Sequence, residues 1–474
     1  MICQMARGLG LVLAKRCSLS AVRRRRLLVA KCPALANHQM SRSYVLDNGP
    51  KVKSDHRSGT MVEVARTIRE QSGVDVGYHT IPKPRDHLLQ HEPKREELPP
   101  RTMLDSHTTA ILPLSASELI RESYVNHLGR VRLGRIMEEL DMFAVWICHR
   151  HVKLPKLPKG VPLPYTFVTL LVDKVEFTNL ERLQVNQDIE ISGHISWAGR
   201  SSMEITIYVR QLIPGSREYI DVTKAIFVMV ARNATNTAAA PINPLEPGNE
   251  TEKLIWEQAE KRQKLRKSTA MESVLSSPPR EYEQTIMYEI LKRTTPTNSM
   301  DLNKRVLPPK CRWMEDSLQS TMIAPFPENR NAQNTIFGGY LMRQAVEISF
   351  IMASIYLGDR PILTCISDIS FMHPVHVNRF LQLTAYVVYA AQNYVQLMTV
   401  AQIWDAKSGK VQTTNVFYMT YRADKVLDEV LPRSYREMLW YIHGRRKLLA
   451  ALHLQPELPD PIDVPQESSR NICT

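Results

Sequence analysis

The 474-residue sequence contains no apolar run approaching the roughly 18 residues that a membrane-spanning helix needs, which excludes a helical transmembrane segment. Cysteine is scarce, and seven residues without a CxxC pair exclude a disulfide-stapled scaffold and a zinc ribbon. No GxSxG elbow, P-loop or GxGxxG precedes a predicted helix, so serine-hydrolase, NTPase and dinucleotide-binding chemistries fall away. Acidic residues are missing altogether before Asp47, and that absence explains the net charge of +13. Nine basic residues (Arg7, Lys15, Arg16, Arg23, Arg24, Arg25, Arg26, Lys31 and Arg42) lie in residues 1–46, and the rest of the chain balances at 52 basic against 48 acidic. A large electropositive surface for nucleic acid is therefore not expected.

Residues 1–46 are Arg-rich and acid-free, with Leu9, Leu13, Leu27 and Leu28 between the charges. This is the pattern of a mitochondrial transit peptide; a basic arm for RNA or anionic lipid is the competing reading. Cys148, Cys311, Cys365 and Cys473 remain beyond it, scattered as in a reducing compartment.

An internal repeat organises the chain from about residue 101 onward. Arg101-Thr-Met-Leu-Asp-Ser106 recurs as Arg312-Trp-Met-Glu-Asp-Ser317, sharing Arg, Met, Asp and Ser in register. Asn126-His-Leu-Gly-Arg-Val-Arg-Leu-Gly134 recurs as Asn331-Ala-Gln-Asn-Thr-Ile-Phe-Gly-Gly339, with Asn eight residues before the last Gly in both copies. Val172-Asp-Lys-Val-Glu-Phe177 has a counterpart in Ser367-Asp-Ile-Ser-Phe371. Each copy reads as a short strand, a loop ending in Gly, and a helix (about 134–148 and 339–357), with alternating runs after it that predict strands. Those runs are 167–175, 189–197, 203–212 and 223–230 in the first copy, and 363–371, 381–389, 395–404 and 413–421 in the second. A helix apolar nearly all round, as at 142–148, should be wrapped by a curved antiparallel sheet, giving an α+β fold.

The expected divisions are a transit peptide (1–46), an extended arm (47–100), the first repeat domain (101–235), a charged linker (236–311), the second repeat domain (312–425) and a tail (426–474). In the linker, Asn249-Glu-Thr-Glu252 caps a helix running to about residue 267, read as solvated, and Ser276-Ser-Pro-Pro279 ends it. The tail carries a helix over 435–452.

Asp141 stands out on the first helix, with Met137, Ala144, Val145 and Cys148 on the same face. A carboxylate there either is buried, with the raised pKa of a general base, or pairs with Arg135 or His149. Glycines at a helix N-terminus let backbone N–H groups approach a developing oxyanion, and Gly338-Gly339 suits this better than Leu133-Gly134. His149 with His151, His87 with His91, and His373 with His376 have no acid or Cys in a recognisable motif. They are read as surface or strand-turn histidines, with no metal site.

The Asn-(x)7-Gly loop running into a helix, with an acid seven residues later, in two tandem copies behind a transit peptide, resembles the double-hotdog acyl-CoA thioesterases, and their mitochondrial branch most. The likeness covers about 101–425. It implies two tandem hotdog domains, each a helix wrapped by an antiparallel sheet, paired so that the acid of one helix faces the Asn loop and helix N-terminus of the other. Carried over, one site combines Asp141 with Asn331, Gly338 and Gly339. The other combines Asn126 and Gly134 with position 346, which is valine. Glu347 is adjacent but about 100° around the helix, with Arg343 as a surface partner, so this second site is expected to be degraded unless the helix shifts. The resemblance further implies acyl-CoA hydrolysis in the mitochondrial matrix, without a cofactor, by a homo-oligomer. Asn331 would position water or thioester, and Asp141 would act as general base or nucleophile. A catalytically inactive hotdog scaffold that binds acyl-CoA or assembles a complex is the alternative. A hotdog hydratase would need a His beside an acid, which neither helix supplies.

Overall fold

The computed structural model describes residues 57–73, 84–269, 278–296, 301, 304–331, 335–367, 369–371, 373–377 and 379–454. The transit-peptide segment, Ser276 and Ser277, Asp368 and the polar end of the tail lie outside the described residues.

In chain order the elements are β1 (Arg57–Thr60), α1 (Met61–Ser72), β2 (Thr108–Leu112), α2 (Leu133–His151), β3 (Tyr165–Val172), β4 (Val175–Phe177), β5 (Ile189–Ala198), β6 (Ser202–Leu212) and β7 (Tyr219–Asn233). Then come α3 (Glu250–Thr269), α4 (Glu281–Thr294), β8 (Cys311–Trp313), β9 (Leu318–Ile323), α5 (Gly338–Leu357), β10 (Ile362–Ile366), β11 (Ile369–Ser370), β12 (Phe380–Ala391), β13 (Tyr394–Trp404), β14 (Val411–Arg422), β15 (Glu429–Leu431) and α6 (Tyr435–Ala451).

The repeat seen in the sequence is a repeat of structure. Strands run β2-β5-β6-β7 in the first copy and β9-β12-β13-β14 in the second, antiparallel throughout. Each copy adds a broken edge, β3 and β4 or β10 and β11, and these edges pair with one another. Cys365 lies opposite Glu176 and Ile369 opposite Val172, so one antiparallel sheet crosses both copies. The shared motif has a shared role, since Met103 and Met314 are both fully buried ahead of β2 and β9.

α2 and α5 lie on the same side of this sheet and pack on each other. Their apolar character all round is explained by this, because each has sheet on one face and a helix on another. Glycine permits the close crossing. A Cβ at Gly134 would lie 3.0 Å from the Arg343 carbonyl oxygen, and one at Gly339 would lie 2.9 Å from the Glu138 carbonyl oxygen. The opening of each helix thus abuts the second turn of the other.

Two expectations are corrected. The arm is not simply extended: Thr60 and Glu63 form a capping box, and α1 buries Met61, Val64 and Ile68 against the core. The linker helix is not solvated either. Asn249 does accept the Glu252 N–H as its cap (2.9 Å), but α3 then docks on the outer face of the first sheet. Glu204 there is 1% exposed and is held by Arg262 (2.6 Å) and Arg266 (2.5 Å). A buried acid needs such partners, which is why a charged helix can cover a sheet. This leaves β5 buried on both faces along most of its length. α6 covers β12, β13 and β14 of the second copy in the same way, with Gly444 against Val388. It is tied to α4 by Arg446 and Glu283 at 2.5 Å.

Replacing Gly134 with alanine usually gains about 1 kcal/mol of helix propensity. Here the new methyl meets a backbone oxygen, so Gly134→Ala is expected to lower stability by roughly 1–3 kcal/mol in urea unfolding. An unchanged or raised midpoint would mean that the helices are not held this close.

Candidate active site

Asp141 sits on the face of α2 that meets the N-terminus of α5 and is fully buried. The Gly339 N–H donates to its Oδ2 at 2.6 Å, and the Thr169 hydroxyl donates to its Oδ1 at 2.6 Å. At the start of a helix the N–H groups have no intrahelical acceptor, and the dipole favours an anion, so α5 offers what a buried carboxylate needs. A Cβ at Gly339 would come within 3.0 Å of Asp141 Cβ, and one at Gly338 within 3.2 Å of Oδ2 and 3.3 Å of the Phe371 ring. A side chain at 339 would meet backbone, and one at 338 would press on the carboxylate and the Phe371 ring.

Burial raises the Asp141 carboxyl to about 6, against the opposing pull of the hydrogen bonds from Thr169 and Gly339. Of the two readings left open by the sequence, the buried acid is the one observed. Arg135 pairs instead with Glu138 (2.5 Å) and Glu139 (3.8 Å). His149 packs edge-on against Phe167, and burial pushes its pKa down to about 4. His151, also lowered to about 4 by burial, is hydrogen-bonded to the Asn243 carbonyl oxygen. These two are buried helix-end histidines, not the surface residues expected. Among the described residues no group of three or more His, Cys, Asp or Glu is placed to hold a metal.

Asn331 lies in the loop that enters α5. Its N–H donates to the Thr335 carbonyl oxygen (2.8 Å) and its Oδ1 accepts the Thr335 N–H (3.1 Å). Asn126 does the same with Arg130, at 2.8 and 3.0 Å. The repeated Asn thus closes a turn in both copies, with its carboxamide oxygen directed to its own loop rather than to Asp141.

Asn126, Gly134, Val346 and Glu347 come together around a cavity of about 840 Å³. Val346 takes the place that Asp141 has in the other half. Glu347 pairs with Arg343 as expected (3.3 Å), and also with Arg132. Its side chain lines this cavity together with Asn126 and Gly134. Its Cγ lies 3.4 Å from the position of a Gly134 Cβ. This carboxylate is half-exposed and doubly ion-paired, an environment unlike that of Asp141.

The sequence reading missed Thr169 and Phe371. The only signal for Thr169 is a hydroxyl within the otherwise apolar run Phe167-Val-Thr-Leu-Leu-Val172, and threonine suits a strand for reasons unrelated to chemistry.

A carboxyl raised from 3.8 to about 6 binds a proton in the folded state that the unfolded chain has already released. Its contribution to stability therefore falls as pH rises from about 4 to 6, reaching a cost on the order of 2–3 kcal/mol above that window. Asp141→Asn, which cannot ionise, is expected to melt no lower than the unsubstituted chain at pH 7.5, with its advantage shrinking by pH 4.5. A clearly lower melting temperature at pH 7.5 would contradict the burial of a charged carboxylate.

No family model matches the chain. Acyl-coenzyme A thioesterase 9, mitochondrial, of Mus musculus is 35% identical over 391 residues, covering 80% of this chain and 87% of that protein. The Homo sapiens protein of the same name is 33% identical, covering 89% of this chain and 95% of the relative. Acyl-coenzyme A thioesterase 10, mitochondrial, of Mus musculus is 34% identical, covering 75% and 80%. With identity at this level sustained over nearly the whole of each relative, the chain belongs to the mitochondrial acyl-coenzyme A thioesterase family.

Proposed function

We propose that the chain hydrolyses acyl-CoA thioesters in the mitochondrial matrix, at one site built from Asp141, Thr169, Asn331, Gly338 and Gly339. The observation that carries this reading is the buried Asp141 carboxylate, brought by one repeat to the helix N-terminus of the other. Two tandem hotdog domains are the arrangement it fits, with each helix wrapped by its own half of the sheet. Nothing structural asks for an acid in such a place, because burying one costs stability.

In the proposed reaction Asp141 is the general base. It takes a proton from water as the water oxygen attacks the thioester carbon, and the Gly338 N–H stabilises the resulting oxyanion. The Gly339 N–H is already given to Asp141 and holds the base in place. Collapse breaks the C–S bond, the proton passes from Asp141 to the departing sulfur, and free acid and CoA are released. Thr169, donating to Oδ1, orients the carboxylate. A pKa near the operating range and two hydrogen bonds fixing both oxygens suit a base better than an attacking nucleophile. Asn331 shapes the loop over which the thioester enters. A homo-oligomer is proposed on the family resemblance, and a matrix location on the Arg-rich first segment together with the mitochondrial relatives.

The inactive-scaffold alternative has Leu133-Gly134 and the valine at position 346 in its favour, and both concern only the second site. Thiol release from a panel of short to long acyl-CoAs separates the readings. Asp141→Asn is expected to lose roughly 10²–10⁴-fold in kcat, Asn331→Ala to lose activity as its loop opens, and Glu347→Gln to stay near the unsubstituted chain. Equal losses at Asp141 and Glu347 would mean two working sites, and no turnover at any chain length would leave the scaffold.

A further inference from the structure

One charge close to Asp141 has no part in the reaction as written above. Glu138 lies one turn before Asp141 on α2, and its side chain is 17% exposed. Its carbonyl oxygen is the atom that a Cβ at Gly339 would meet at 2.9 Å. Its Oε2 accepts from Arg343 of α5 (3.2 Å) and from Arg135 of its own helix (2.5 Å). Position 138 falls four residues after Gly134, and position 343 four residues after Gly339, so the duplicated helix position carries opposite charges in the two copies. The two side chains meet across the helix crossing, beside the turn of α5 whose Gly339 N–H is given to Asp141.

We propose that Glu138 is a positioning residue for hydrolysis at Asp141: its ion pair with Arg343 holds the first turn of α5 against the base, and its charge sets how readily the base accepts a proton. The proposal rests on Asp141 being the working base. A negative charge one turn away opposes ionisation of a buried carboxylate, in the same direction as burial itself. Asp141 is faced by Glu138 and the Cys148 thiol on α2, by the Thr169 hydroxyl on β3 and by the Gly339 N–H on α5. Burial keeps the thiol protonated, and the Phe371 ring after β11 adds bulk without charge, so Glu138 is the acid that bears on the base. Around Glu138 itself stand Arg135 and Glu139 of α2 and Tyr340 and Arg343 of α5, with Glu139 engaged by Tyr124 (2.5 Å). The two guanidiniums fix the Glu138 carboxylate and offset part of its field, so an acid can stay beside the base without forcing the helices apart. A base of raised proton affinity that is still ionised near neutral pH takes the proton from water more effectively.

The test is the pH profile of kcat/KM for decanoyl-CoA, measured on the full chain unsubstituted, with Glu138→Gln, and with the exchanged pair Glu138→Arg/Arg343→Glu. Glu138→Gln is expected to move the midpoint of the acid limb down by roughly half a pH unit or more, as loss of a partly offset charge about 6 Å away should do. The exchanged pair keeps an ion pair across the crossing but sets a cation beside Asp141, so its midpoint should fall further. Midpoints that stay in place or rise, with only kcat or the melting temperature lowered, would overturn the proposal and leave the pair a structural clamp. Should the exchanged pair not fold, Glu138→Gln carries the test alone, because it keeps the size of the side chain. An unsubstituted chain with no acid limb near 6 would instead overturn the base reading on which the proposal rests, and that result is independent of either variant.

Discussion

A carboxylate can lie under the N-terminus of α5 only because two helices cross with nothing between them, and the rest of the structure serves that approach. Edge-to-edge pairing of β4 with β10 and of β3 with β11 makes one sheet of two copies and fixes the helices on the same side of it. Gly134 and Gly339 then let each helix opening reach the backbone of the other at 3.0 and 2.9 Å. At one end of this contact the seventh residue after the glycine is Asp141, and the unpaired N–H of Gly339 becomes its donor. The buried acid is stabilised by geometry that the fold would have in any case.

The two ends of the same contact carry different acids in different surroundings. The acid at the other end is Glu347, one residue further along, and one residue is about 100° of helix. That rotation takes the carboxylate out of the helix interface and into the company of Arg132 and Arg343, while Val346 fills the interface. Held by two guanidiniums and only partly buried, Glu347 lacks both the full burial of Asp141 and the Gly339 N–H that fixes it. Both ends share the close helix contact, and their side chains make them chemically different.

Most strand and helix positions were legible because the core elements keep their period, but the runs read at 167–175 and 363–371 each fall into two strands, Tyr165–Val172 with Val175–Phe177 and Ile362–Ile366 with Ile369–Ser370. The predicted helix at 339–357 is found at Gly338–Leu357, and the strand predicted at 395–404 at Tyr394–Trp404. The arm was misread because its Pro, His and charge content outweighed a single capping box, Thr60 with Glu63, ahead of three apolar positions. α3 was read as solvated because the partner that buries it, Glu204, lies on a strand and looks like a surface residue of an alternating pattern. At the site, Asp141 was found from its apolar face, and Gly338 and Gly339 from their place before a helix. Thr169 was not, since nothing local distinguishes an inward strand threonine that meets an acid from one that meets a methyl group. That the Gly339 N–H donates to Asp141 was equally hidden, because a donor's acceptor is set by tertiary packing. The repeated Asn was seen for its spacing, yet its first task is to close a loop, which spacing alone does not reveal.

If the reaction depends on the ionised form of one buried carboxylate, the pH dependence of kcat/KM for the unsubstituted chain carries its titration. An acid limb with a midpoint near 6 is expected, falling about tenfold for each further pH unit. A rate that stays level down to pH 4.5, as an ordinary solvated aspartate would allow, would contradict it.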